Sequence, residues 1–120
     1  MNGNKKVVFI AMSSKMFRLR EWITKFVFDQ GAIPVNCLMI YGYYLYDMVP
    51  RVRIIEAYKA VVVRCDEIWT FGDVSDGVRD AMAIARKNKM HIRHFDTARY
   101  PEIVEVSENQ LVYEEGVSFG

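Results

Sequence analysis

The stretch CDEIWTFGDVSDGVRDAMAIA, Cys65 to Ala85, constrains the fold more than any other part of the sequence. Its apolar run, Glu67 to Phe71, stops at Gly72, and the polar loop Gly72-Asp73-Val74-Ser75-Asp76-Gly77 follows. Val78, Ala81, Met82 and Ala85 then recur at helical spacing, so the pattern predicts strand, loop and helix in succession. Ser75 or Asp76 can accept hydrogen bonds from the free N–H groups of the helix's first turn, and Gly77 permits close approach of a ligand to the backbone. A helix N-terminus beyond the carboxyl end of a parallel strand favours anions and is where such sheets bind ligands. The loop, with Gly72, Ser75, Asp76 and Gly77, is therefore the first candidate site.

The rest of the chain repeats the alternation. Lys6 to Met12 is a continuous apolar run rich in β-branched residues, as expected of a strand buried on both faces. Ser13-Ser14-Lys15 follows it, and Leu19, Trp22, Ile23, Phe26 and Val27 trace an apolar helical stripe that ends at Gly31. Ser13 and Ser14 thus lie at a second carboxyl end, where one of them either caps the helix or faces a ligand. Ala32 to Asn36 reads as a short strand, with Pro34 suited to an edge or a strand start.

Pro50 marks the start of a helix carrying Ile54, Ile55, Tyr58, Val61 and Val62 and ending near Arg64. Arg51 and Arg53 stand in its first turn against the helix dipole, a placement that suits either an anionic ligand or a solvated surface. Arg86, Lys87 and Lys89 close the next helix with the sign its C-terminus prefers. His91 to Phe95 is a further strand, and 103–106 with 110–113 form a terminal hairpin or fray. Strands alternating with helices imply right-handed crossovers. The expected fold is a single α/β domain over residues 1–120: a Rossmann- or flavodoxin-like parallel sheet of about four or five strands, helices on both faces, and loops gathered at one edge.

Composition narrows the function. At 120 residues the chain accommodates one ordinary core, and with 52% hydrophobic and 26% charged residues it is globular rather than disordered. A net charge of +1 gives no global attraction to nucleic acid. Cys37 and Cys65 lack a CxxC partner and read as buried free thiols, and His91 and His94 fall on opposite faces of a strand, so no metal site is expected. The apolar run ending at Met12 is too short for a signal sequence or a membrane span, so the expected location is cytoplasmic, with no membrane partner. Neither GxGxxG nor GxxxxGK[ST] is present, and no cofactor is expected.

The segment DEIWTFG followed by SDGV and by Ala85 resembles the nucleoside 2-deoxyribosyltransferase-like family, over about residues 6–95. Members read D-E-I/L-W-x-F-G and then S-x-G-V/M-x-x-E. The resemblance implies a pocket for a nucleoside or nucleotide, and that glutamate is the nucleophile of the transferases. Here the position holds Ala81. Ile33-Pro34-Val35-Asn36 matches a further family segment, with Cys37 in place of its proline, and this makes Asn36 a candidate ligand contact. Tyr41, Tyr43, Tyr44 and Tyr46 suit a base-stacking wall, a homodimer face or a loop tucked on the core.

Attack on a sugar carbon needs a carboxylate, and Ala81 has none. Asp80 is rotated by about 100° and displaced by about 1.5 Å along the helix, which takes it out of line for ordinary attack. Asp76 or Asp47 could serve water as a general base, although both also suit a cap or a turn. Three functions follow as expectations. The first is a nucleoside- or nucleotide-binding domain without its glycosyl nucleophile. The others are an active transferase or N-glycoside hydrolase with a relocated carboxylate, and a homo-oligomeric interaction module.

Overall fold

The computed structural model describes residues 5–41, 45 and 48–117. Five strands form one sheet in the order β2-β1-β3-β4-β5. They are β1 (Val7–Met12), β2 (Ile33–Val35), β3 (Glu67–Phe71), β4 (His91–Asp96) and β5 (Val104–Val106). The first four run parallel, and β5 returns antiparallel along β4. The helices are α1 (Arg20–Asp29), the single turn α2 (Cys37–Ile40), α3 (Arg51–Val62) and α4 (Asp76–Lys87). A 3-10 helix, Ser14–Leu19, leads from β1 into α1.

Both faces of the sheet are covered because the central strands have apolar side chains at successive positions. Val8, Ile10 and Met12 pack with Ile23 and Val27 of α1 on one face. Phe9, Ala11 and Ile68 pack with Val62 of α3 and with Val78, Ala81, Met82 and Ala85 of α4 on the other. The first face is closed by aromatic rings: Phe71 stacks on Phe95 at 5.1 Å, and Phe26 meets Phe95 edge-on at 5.2 Å. These layers aim the carboxyl ends of β1 and β3 at a common rim.

The C-terminal region differs from the expected hairpin. Val104–Val106 pairs with the outer edge of β4, fastened by Arg93, which donates to both oxygens of Glu105 at 2.9 and 2.7 Å. A capping box between Ser107 and Gln110 then turns the chain into a 3-10 turn, Glu108–Gln110, where a hairpin would need a tight two-residue reversal. Beyond it, the Val74 N–H donates to the Val112 carbonyl at 2.8 Å and the Glu114 N–H to the Val74 carbonyl at 2.9 Å. The tail is thereby laid as a strap beside the loop that precedes α4.

The two histidines occupy opposite faces, as their spacing requires. His94 is buried with its Nδ1 at 2.7 Å from Thr70 Oγ1. Burial holds its imidazolium form down, so its pKa lies below the ordinary value. Both cysteines are free thiols. No helix among the described residues is long and apolar enough to cross a membrane.

Candidate functional site

At the carboxyl rim a cavity of about 420 Å³ opens between the loop after β1, the start of α4, one face of α3 and the C-terminal strap. Its volume falls in the range of small-molecule sites. Ser13, Ser14 and Lys15 form one wall, and Ser75, Asp76 and Gly77 face it from the other. The two loops predicted to converge therefore share a single space.

Each wall is built by local capping. The Ser13 hydroxyl accepts from the Lys15 N–H at 3.2 Å and starts the 3-10 helix, and Ser13 is only 2% exposed. Ser75 caps α4, its Oγ accepting from the Val78 N–H at 3.3 Å, and Asp76 takes the first helical position. The serine rather than the aspartate is thus the cap, which leaves Asp76 on the rim with 73% of its side chain exposed. Asp80 also reaches the cavity and is 54% exposed. Arg79 lies 3.7 Å from the Asp76 carboxylate and 3.4 Å from that of Asp80, so both face a cation in solvent. Ala81 presents its methyl group to the cavity wall.

Three of the predicted contacts lie outside this cavity. Asn36 is buried as the cap of α2, its Oδ1 accepting from the Leu38 N–H at 3.1 Å and its Nδ2 donating to Thr24 Oγ1 at 3.1 Å. That network consumes the amide in holding α2 against α1. Tyr41 packs its ring on Tyr58 at 5.6 Å, and it is Tyr58 that lines the cavity. Gly72 has φ +75°, backs onto Met16 and Thr97, and borders a second depression of about 530 Å³ instead. Tyr43, Tyr44, Tyr46 and Asp47 lie outside the described residues.

The cavity also holds residues that the pattern-based reading did not assign to it. Arg51, Ile55, Tyr58, Lys59 and Val62 line it from one face of α3. Their spacing of four, three, one and three places them on a single helical stripe, a signal available in the sequence once that face is known to look toward the rim. Glu114 and Glu115 of the strap complete the enclosure, and no local pattern announces them. Cys37 borders the cavity as well, but burial, with a smaller effect from Cys65, pushes its thiol up to about 12. It is protonated at neutral pH and poorly suited to nucleophilic attack. Among the described residues no cluster of histidine, cysteine and carboxylate side chains could hold a metal ion.

Residues 11–95 match the model of a family described as a domain of unknown function (DUF7768). No curated protein and no solved structure matches the chain. The matched span runs from the end of β1 to β4 and contains every cavity residue named above except Glu114 and Glu115.

Proposed function

We propose that this chain, which belongs to the family described as a domain of unknown function (DUF7768), binds a nucleoside or nucleotide in the rim cavity and lacks the carboxylate needed to cleave it. The observation that carries the reading is the convergence of Ser13–Lys15 with the start of α4 around one enclosed space. The N–H groups of the first turn of α4 carry a partial positive charge toward that space. Lys15, Arg51 and Lys59 add cationic side chains around it, beside the carboxylates of Asp76, Asp80, Glu114 and Glu115. The helix N-terminus and the three cations suit the anionic end of a nucleotide. Ile55, Tyr58, Val62 and Val78 supply an apolar wall for the sugar and base.

The chemistry stops at binding. A methyl group at residue 81 cannot form a covalent bond to a sugar carbon. Asp80 leaves the helix on another bearing, remains exposed and faces Arg79, so it is poorly placed to substitute. Asp76 is more exposed still.

Thermal denaturation in the presence of deoxynucleosides and their 5′-monophosphates tests the reading, because a ligand at 100 times its Kd adds about 2.7 kcal/mol of stability. The expected result is a rise in Tm with at least one monophosphate and no free base detectable by chromatography. Absence of any rise across the set refutes the binding role. Base release that Asp76→Asn or Asp80→Asn abolishes would instead establish hydrolysis or transfer by a relocated carboxylate.

A further inference from the structure

The C-terminal strap brings a carboxylate into the mouth of the cavity. Glu114 keeps only 14% of its side chain exposed, and its Oε1 lies 3.8 Å from Lys15 Nζ. That separation is an ion pair's and not a hydrogen bond's. Lys15 by contrast has 76% of its side chain in solvent. Both residues border the main cavity and the neighbouring depression, so the pair spans the ridge between the two spaces. The backbone of the strap is hooked to Val74 on either side of Tyr113, one residue before the Ser75 cap of α4. Leu111 and Tyr113 rest on the apolar cluster beneath α4. The strap's backbone is thus anchored while the Glu114 side chain is held at its tip by a long, charge-only contact.

We infer that Glu114 is a built-in competitor for the ligand's anionic group: its carboxylate occupies Lys15 in the unliganded protein and is exchanged for a phosphate on binding. This rests on the reading that the cavity takes a nucleotide. A lysine mostly in water reorients at little cost, so the exchange needs no unfolding of the strap, but it leaves the largely buried Glu114 carboxylate without its cation and beside the incoming anion. The arrangement tunes affinity downward for anions and leaves uncharged ligands unaffected. It also gives the C-terminal segment, which lies outside the span matched to the family, a defined part in the site.

The test is isothermal titration of the full chain and of Glu114→Gln and Lys15→Gln with 2′-deoxyadenosine 5′-monophosphate and with deoxyadenosine. Glu114→Gln preserves shape and removes one negative charge, and it should bind the monophosphate about three- to tenfold more tightly, the size of a single partly screened charge contact. Its affinity for deoxyadenosine should change less than twofold, and Lys15→Gln should weaken the monophosphate alone. If the parent binds the monophosphate and Glu114→Gln binds it equally or less well, the competitor role is overturned while the binding site stands. Equal tightening for monophosphate and nucleoside would also overturn it, since the effect would then be steric. If neither the parent nor Glu114→Gln binds any of the deoxynucleosides or their monophosphates, the nucleotide reading has failed and the competitor role falls with it.

Discussion

Gly72, at the start of the loop before α4, packs against Met16 of the 3-10 helix, and its replacement can be worked through from the geometry. Its φ of +75° lies in the left-handed region, where a residue with a Cβ loses about 1–2 kcal/mol. A Cβ there would also overlap the Met16 sulfur and stand 2.9 Å from Met16 Cε and 3.0 Å from Thr97 Oγ1. The Met16 sulfur has to be driven out of its partly buried place against the core, and Thr97 Oγ1, attached directly to its own Cβ, gives little, so overpacking adds roughly 1–2 kcal/mol. Gly31 provides the control: its φ is +83°, yet a Cβ there meets nothing within 4 Å. Gly31→Ala should therefore cost about 1–2 kcal/mol and Gly72→Ala about 2–4 kcal/mol. Near 4 °C of Tm per kcal/mol for a domain of this size, the shifts are about 4–8 °C and about 8–16 °C. Urea titrations followed by circular dichroism give both values, and Met16→Ala combined with Gly72→Ala should recover about 1 kcal/mol of the second. Equal costs at the two glycines, or no recovery with Met16→Ala, would refute the close packing of the two loops.

Three further outcomes follow from the site and the core. Ala81→Glu introduces a carboxylate at the cavity wall and, on the proposed reading, should release free base from deoxynucleotides, measured by chromatography, while the parent releases none; equal rates would remove the proposed role of Ala81. Because burial lowers the pKa of His94, the unfolded chain takes up a proton that the native state refuses. Stability should decline as pH falls below about 6.5, and His94→Gln should flatten that slope in urea titrations between pH 7 and 5. Cys37 is pushed up to about 12, and Cys65 to about 11 by burial and then by the neighbouring Asp66 charge. Both should therefore react slowly with a colorimetric disulfide reagent at pH 8 and quickly once urea is added, and fast reaction of the folded protein would contradict the burial of Cys37 and the partial burial of Cys65.

What the sequence made legible was local. The apolar runs of β1 and β3 announce strands covered on both faces, and the recurrence of Val78, Ala81, Met82 and Ala85 fixes the inner stripe of α4. A cap at Ser75 or Asp76 was readable because Ser-Asp-Gly precedes an apolar stripe, and the structure shows that the serine takes it. Asn36 was not, since α2 is a single turn of four residues and too short to show a period. Gly72 read as a member of the ligand-binding loop, and only tertiary packing shows Met16 and Thr97 against it. The strap depends on pairing between Val74 and residues some forty positions later, and no periodicity encodes a contact of that range. Lys15 and Lys59 carry no local signal, Arg51 only its place against the helix dipole, and the three become a group only when the loops converge.

The central claim is that a nucleotide enters the space between Ser13–Lys15 and Ser75–Gly77. Two-dimensional ¹⁵N–¹H spectra recorded during titration with 2′-deoxyadenosine 5′-monophosphate address it directly. Saturable shifts of the Ser14, Lys15, Asp76 and Gly77 amides, with those of Lys6 and Asp66 at the opposite rim unmoved, are the predicted result. Saturation that leaves those four amides in place, or no saturable shift with this or any other deoxynucleoside monophosphate, would contradict it.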